Sequence, residues 1–243
     1  MKFLSLLYSA LILLSACTSN STKKASAQLT PVRLGAMSSM DYLPFVVAQK
    51  QGIYPSLGLE VNIVKFFSAN DRDAAFQSGN VDGTVIDYTG AALQQAGGIG
   101  LGIAMKNDGY FYLIAGQKSR IDTISQLTHR NITVSRNTVI EYATDQILAQ
   151  AGILPEDVNK PEINKIPIRL EMVQNGQIDA TILIEDVGIP ENLAESVAIP
   201  QYTLATIPFP KDIKRTVDWL KAKNLVPDTY TGDTLVVAGY TDL

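Results

Sequence analysis

The sequence is short of the residues on which most catalysis depends. It has one cysteine, Cys17, and one histidine, His129. Without a second thiol no internal disulfide can close, so stability has to come from packing. The lone imidazole, in the loop-like stretch 128–131, leaves no material for a histidine-dependent nucleophile or metal cluster. Aromatics are only 7% with a single tryptophan, Trp219, too few for the long aromatic-lined cleft a glycosidase would need. There is no phosphate-cradling P-loop and no GxGxxG, since Gly97, Gly98, Gly100 and Gly102 lead into an expected strand instead of out of one. Lysine and arginine do not cluster beyond Lys23 and Lys24, and the net charge is -4, which excludes the basic stripe of a nucleic-acid binder. No apolar run approaches the roughly 20 residues of a spanning helix. No cofactor, no metal and no nucleic-acid partner are therefore expected.

The N-terminus carries Lys2, then an apolar run over 3–14 that ends in small residues, the pattern of a secretory signal. Its close, Leu14, Ser15, Ala16, Cys17, resembles the lipobox of bacterial lipoproteins. Cys17 is then the lipidated first mature residue, anchoring the protein outside the cytoplasm, in the periplasm or on the outer face of the cell membrane. An incidental thiol in an ordinary signal peptide is the alternative. Residues 18–30 are mostly Ser, Thr, Lys and Ala, unable to bury enough surface to offset ordering entropy, and read as a tether. The remainder is long enough for one large or two modest domains.

Hydrophobic patterning predicts an α/β fold. Residues 32–36 read as a strand, 43–51 as a helix with Pro44 in its first turn and Gly52 as its stop, and 61–67 as an alternating strand. A short helix over 71–78 closes at Gly79, and strands follow near 83–86, 101–105 and 110–115. A strand is expected at 180–184 and a C-terminal helix at 211–224, its packing face made of Ile213, Val217, Leu220 and Trp219.

The chain also repeats itself. At an offset of 100, Asp41, Tyr42, Gly52 and Ile53 fall on Glu141, Tyr142, Gly152 and Ile153. At an offset of 97, Arg72, Gln77, Gly79, Asp82 and Thr84 fall on Arg169, Gln174, Gly176, Asp179 and Thr181. Segments 77–86 and 174–183 share four identities. Two similar lobes imply a cleft between them, a preferred place for a ligand.

In open α/β lobes ligands bind beyond the carboxyl ends of the strands, among helix N-termini. The corresponding turns hold Ser38, Ser39 and Asp41, then Ser68 and Asn70, then Asn137 and Thr138. Each hydroxyl or amide could equally cap its own helix, and Ser68 with Asp71 has the look of a capping box. Two serines at 38 and 39 exceed what one cap needs. Asp87, Asp108 and Glu185 stand at strand ends, where a carboxylate is commonly just solvated. Asp87 and Glu185 follow corresponding strands and could face one ligand. Glu141, matched to Asp41 by the repeat, joins the candidates. Facing carboxylates would repel an anion by about 4 kcal/mol at 4 Å in a medium of effective dielectric 20. They favour a ligand with N–H donors or positive charge, its ring stacked on Tyr42, Tyr88 or Tyr142.

The segments MDYLPFVVAQKQGIYPSLGLEV and NTVIEYATDQILAQAG, with their continuations to Gly98 and Glu185, resemble the SsuA/THI5-like (NMT1) solute-binding proteins in their lipoprotein form. The resemblance implies a two-lobed periplasmic-binding-protein-like fold of the second type. It also implies a binding, non-enzymatic role: a monomer in an ABC uptake system that delivers a small molecule to a membrane permease. A thiamine-type pyrimidine precursor is the expected ligand, ahead of sulfonate or nitrate. Lobe one is expected at 31–116 plus 201–243 and lobe two at 117–200, after a signal over 1–17. Two departures stand out: Glu185 is followed by Asp186 where relatives often carry proline, and the chain then runs almost directly into its tail. A truncated second lobe is expected. The alternative role is a truncated sensor or interaction module without transport competence, and an enzyme using Asp87 and Glu185 ranks third.

Overall fold

A computed structural model describes residues 29–184 and 206–237. Cys17, Glu185 and the 185–205 stretch that suggested a shortened lobe lie outside the described residues.

Strand β1 (Thr30–Met37) is followed by helices α1 (Leu43–Lys50) and α2 (Ile53–Ser56), strand β2 (Leu59–Phe66), helix α3 (Ala69–Gln77) and the two-residue strand β3 (Gly83–Thr84). These strands form a parallel sheet in the order β2-β1-β3. Helix α4 (Tyr88–Ala96) comes next. Strand β4 (Phe111–Ala115), β5 (Ile132–Thr133), helices α5 (Val139–Gln150) and α6 (Ile166–Asn175) and strand β6 (Ala180–Ile184) build the second unit. Its sheet runs β4-β6-β5, with β4 antiparallel and β5 parallel to β6. Helix α7 (Pro210–Ala222) completes the described chain.

The structure differs from the sequence reading in three places, one of them helix α4, which the pattern did not predict. The expected strand at 101–105 is reduced to one bridge between Ile103 and Val236, because Gly100 and Gly102 cost more backbone entropy to extend and give a strand no side chains to pack. Strand β4, read as part of lobe one, pairs with β6 over five residues from Phe111↔Ile184 to Ala115↔Ala180. A strand's pattern shows that it pairs but not with whom.

The repeat is written into the hydrogen bonds. Asp82 accepts from the Arg33 backbone N–H at 2.7 Å and pairs with the Arg33 guanidinium at 2.6 Å. Asp179 likewise accepts from the Asn131 N–H at 2.9 Å and pairs with Arg130 at 3.4 Å. The Thr84 hydroxyl donates to the Gly35 carbonyl at 2.9 Å, and Thr181 donates to Thr133 at 3.0 Å. Gly52 and Gly152, ending α1 and the turn after α5, sit at φ 70° and 69°, a left-handed conformation open to glycine without a Cβ penalty.

Each lobe has its own core. In the first, Ala91 and Ala92 of α4 meet Ile213, Val217 and Leu220 of α7, with Val226 and Leu235 closing the cluster. The apolar positions of α7 recur at helical spacing, so one stripe is buried and Lys214 and Asp218 stay outside. In the second, Leu127, Ile132, Leu148 and Ala180 are essentially inaccessible. Contacts that join the lobes include the ion pair of Lys223, just after α7, with Glu141 of α5 at 2.5 Å. The Ile166 N–H, starting α6, donates to the Phe67 carbonyl after β2 at 3.1 Å. Trp219 of α7 donates through Nε1 to Asp145 of α5 at 3.0 Å and stands edge-on to Tyr142.

Candidate functional site

Between the lobes lies a cleft of about 1360 Å³. It opens at the carboxyl end of β1 and at the starts of α4, α5 and α6, so the turns after strands supply its polar groups. Of the residues singled out from sequence, Ser39, Asp41, Asp87, Tyr88, Asp108 and Thr138 line it.

Ser39 is buried and its hydroxyl donates to Asp41 Oδ2 at 3.1 Å, while Asn107 donates its amide to Oδ1 at 2.8 Å. No cation forms an ion pair with Asp41 among the described residues, and burial raises its carboxyl above the ordinary value of 3.8. Asp87 is differently placed. It caps α4, accepting from the Gly90 N–H at 2.8 Å and from the Thr89 hydroxyl, and pairs with Arg72 at 3.2 Å. Despite burial, the Arg72 charge and these donors hold its carboxyl below the usual range, so it stays ionised and is a poor proton donor. Arg72 also grips Asp73 at 2.7 Å. One cation between two carboxylates cannot satisfy both, and Asp73, with burial the larger cause, is pushed up to about 6.

Thr138 caps α5, accepting from the Ile140 N–H at 3.2 Å and donating to the Ser135 carbonyl at 2.8 Å. Its hydroxyl is engaged with the protein even though it faces the cleft. Tyr88 has its phenol raised to about 12 by burial and by Asp212 and Asp108. Asp108 is largely exposed and pairs with Lys106 at 2.8 Å.

Among the described candidates, Ser38, Tyr42, Asn70, Asn137, Glu141 and Tyr142 stay outside the cleft lining. Ser38 donates its N–H to the Phe66 carbonyl beside β2. Tyr42 lies under the Lys65 ammonium at 4.9 Å, and Asn70 is exposed in the first turn of α3, behind the cap that Ser68 makes to the Asp71 N–H. Asn137 is exposed, with its N–H on Glu141. Glu141 is buried away from the cleft, and its other oxygen holds Lys223 at 2.5 Å. Tyr142 packs on Trp219.

Four lining residues were not among the candidates, although the repeat had already aligned them: Arg72, Asp82, Thr84 and Arg169. Arg169 is 1% exposed. Among the described residues its guanidinium makes one hydrogen bond, from Nη1 to the Ile163 carbonyl at 3.4 Å, and Nε has no partner. Among the described residues no three His, Cys, Asp or Glu side chains gather as metal ligands would, and no helix is long and apolar enough to cross a membrane.

Two α/β lobes with a cleft shared between them define a protein of the periplasmic-binding-protein-like class. The NMT1/THI5 like family matches residues 39–214, and the chain belongs to it. Among solved structures, the alkanesulfonate-binding protein SsuA of Xanthomonas axonopodis pv. citri, bound to MOPS, superimposes with a TM-score of 0.63 at 14% identity, over 86% of this chain and 99% of that one. The periplasmic aliphatic sulphonate binding protein SsuA of Escherichia coli gives 0.60 at 15% identity, over 85% and 97%. The periplasmic nitrate-binding protein NrtA of Synechocystis PCC 6803 gives 0.56 at 16% identity, over 65% and 47%. No curated protein matches the sequence significantly.

Proposed function

We propose that this protein is the solute-binding lipoprotein of an ABC uptake system: it captures a small molecule between its lobes, delivers it to a membrane permease, and catalyses no reaction. The observation that carries the reading is the cleft itself, to which both lobes contribute polar groups, Ser39 and Asp41 from one side and Ser135, Asn164 and Arg169 from the other. Family membership and the fold shared with binding proteins support it. Lipidation of Cys17 would keep the clamp at the membrane surface, within reach of the permease. The preference for a ligand with N–H donors rests on Asp41, because Asp87 is occupied by Arg72 and its own helix.

The chain's single tryptophan lies at the contact between the lobes, so its emission reports their movement. Full-length protein in mild detergent is titrated with aminopyrimidines, polyamines, alkanesulfonates, amino acids and nitrate, following Trp219 fluorescence and melting temperature. A true ligand at 100 times its Kd adds about 2.7 kcal/mol, a rise of roughly 5 to 10 °C for a chain of this size. Absence of any saturable response, with no solute co-purifying in native mass spectrometry, would refute the function.

A further inference from the structure

A cluster of charge ties the end of α7 to the opposite lobe. Helix α7 belongs to lobe one, where Ile213, Val217 and Leu220 pack with Ala91 and Ala92 of α4. Its last turn nevertheless reaches α5 of lobe two. Lys223 Nζ lies 2.5 Å from Glu141 and 3.4 Å from Asp145, and Trp219 Nε1 donates to Asp145 at 3.0 Å. The Lys223 ammonium also stands over the Trp219 ring at 4.8 Å, and Tyr142 meets that ring edge-on. We propose that Lys223 and Trp219 form a clasp on α5 that holds the lobes closed, so that its strength sets how far the solute-free protein opens.

The repeat marks the acid pair on α5 as a feature of lobe two alone. Glu141 and Asp145 stand one turn apart, and at the offset of 100 their counterparts are Asp41 and Phe45. Like charges four residues apart destabilise a helix by themselves. Asp145 is compensated inside lobe two by Lys160 at 2.7 Å. Glu141 accepts there from the Asn137 N–H, and among the described residues its one ion-pair partner is Lys223, from lobe one. With the lobes together this carboxylate is 1% exposed and needs that cation. With the lobes apart it regains water, which offsets much of the lost pairing, so the clasp can part without unfolding either lobe.

Its place along the helix makes the contact a clasp and not a pivot. The chain crosses from lobe one to lobe two ahead of β4, where Lys106 bridges Thr206, shortly before α7 begins. Lys223 caps the far end of this 13-residue helix, about 20 Å along it at roughly 1.5 Å per residue. An opening rotation of about 15° at the crossing would move a point that far away by about 5 Å, more than a hydrogen bond or ion pair can stretch. Elsewhere the lobes touch through the Ile166 N–H on the Phe67 carbonyl, beside the exposed side chains of Phe67 and Ile168, a bond that water can replace at little cost.

The clasp goes beyond the solute-binding reading and is tested without solute, so that reading stands whichever way the result falls. Spin labels at Gln77→Cys on α3 and Glu171→Cys on α6, exposed positions on either lobe, are carried by full-length protein in a Cys17→Ser background. Their separation is read by double electron–electron resonance. With the clasp intact one short distance should dominate. Lys223→Met and Trp219→Phe should each raise the longer-distance population at least threefold, and Lys223→Arg, which keeps the charge, should raise it least. Circular dichroism verifies folding, and Lys223→Met combined with Glu141→Gln, which leaves no stranded anion, stands in if the single variant fails to fold. The double variant also separates closure from stability: it should recover stability yet keep the open population, because the clasp is still missing. A long distance already dominant with the clasp intact, a distribution unchanged by Lys223→Met, or a double variant that recovers stability and the short distance together would overturn the proposal.

Discussion

Lys223 holds a buried carboxylate in the opposite lobe, and its removal is the most informative single perturbation of the fold. Glu141 is 1% exposed. Its oxygens contact Lys223 Nζ at 2.5 Å and the Asn137 N–H at 2.8 Å. Lys223→Met keeps most of the aliphatic stem and deletes the charge, stranding the anion. Removing one partner of a buried pair typically costs about 3 to 5 kcal/mol. Glu141 retains one N–H donor, and the Lys223 side chain is 27% exposed, which brings the expected loss to the bottom of that range or just under it, about 2 to 3 kcal/mol. Asp145, the other carboxylate near Lys223, keeps Lys160 at 2.7 Å and Trp219, so it adds little. Urea denaturation followed by circular dichroism would show the lower midpoint, and the melting temperature should fall by about 5 to 10 °C. Adding Glu141→Gln neutralises the stranded anion and should restore more than half of the loss. A Lys223→Met variant within about 0.5 kcal/mol of wild type, a change typical of surface substitutions, would refute the argument. So would a double mutant whose loss is the sum of the two single losses.

Leu220→Ala should cost about 2 to 5 kcal/mol in the same assay, because Leu220 is fully buried between α7 and α4; a neutral result would mean that α7 does not seat as described. Asp73 sets a pH dependence: its carboxyl rises from 3.8 to about 6 in the folded protein, so its favourable contribution is complete below about pH 4 and is lost as pH climbs through 6. Melting curves from pH 4 to 7 should therefore show wild type losing on the order of 2 kcal/mol relative to Asp73→Asn, and parallel curves would contradict the assignment. Cys17→Ser should abolish acyl labelling and release the protein from the membrane, since stable anchoring needs about two acyl chains; undiminished labelling in the variant would rule out Cys17 as the acceptor.

Local pattern was enough for much of the architecture. Strands β1 and β2, helices α1, α3 and α7 and the buried stripe Ile213, Val217, Leu220 follow from periodicity and from stops such as Gly52 and Gly79. The duplication was legible too, because two of the pairs it repeats, Asp82 and Asp179, Thr84 and Thr181, bond their own lobes in matching ways. Helix α4 was missed: Gly90 and Thr89 in its first turn are weak helix formers, and its cap, Asp87, was read as a strand-end carboxylate.

What tertiary structure decided is which charges are free. Asp87 looked available to a ligand until folding brought Arg72, fifteen residues away, against it. Glu141 looked like the partner of Asp41 by repeat, yet Lys223, eighty-two residues on, engages it. Arg169, in the sequence only a position of the repeat, is buried on the cleft wall. Periodicity is a property of neighbours along the chain, and the sequence carries it openly. The availability of a charge depends on desolvation and on counter-ions from distant segments, and those are set only when the lobes fold and meet.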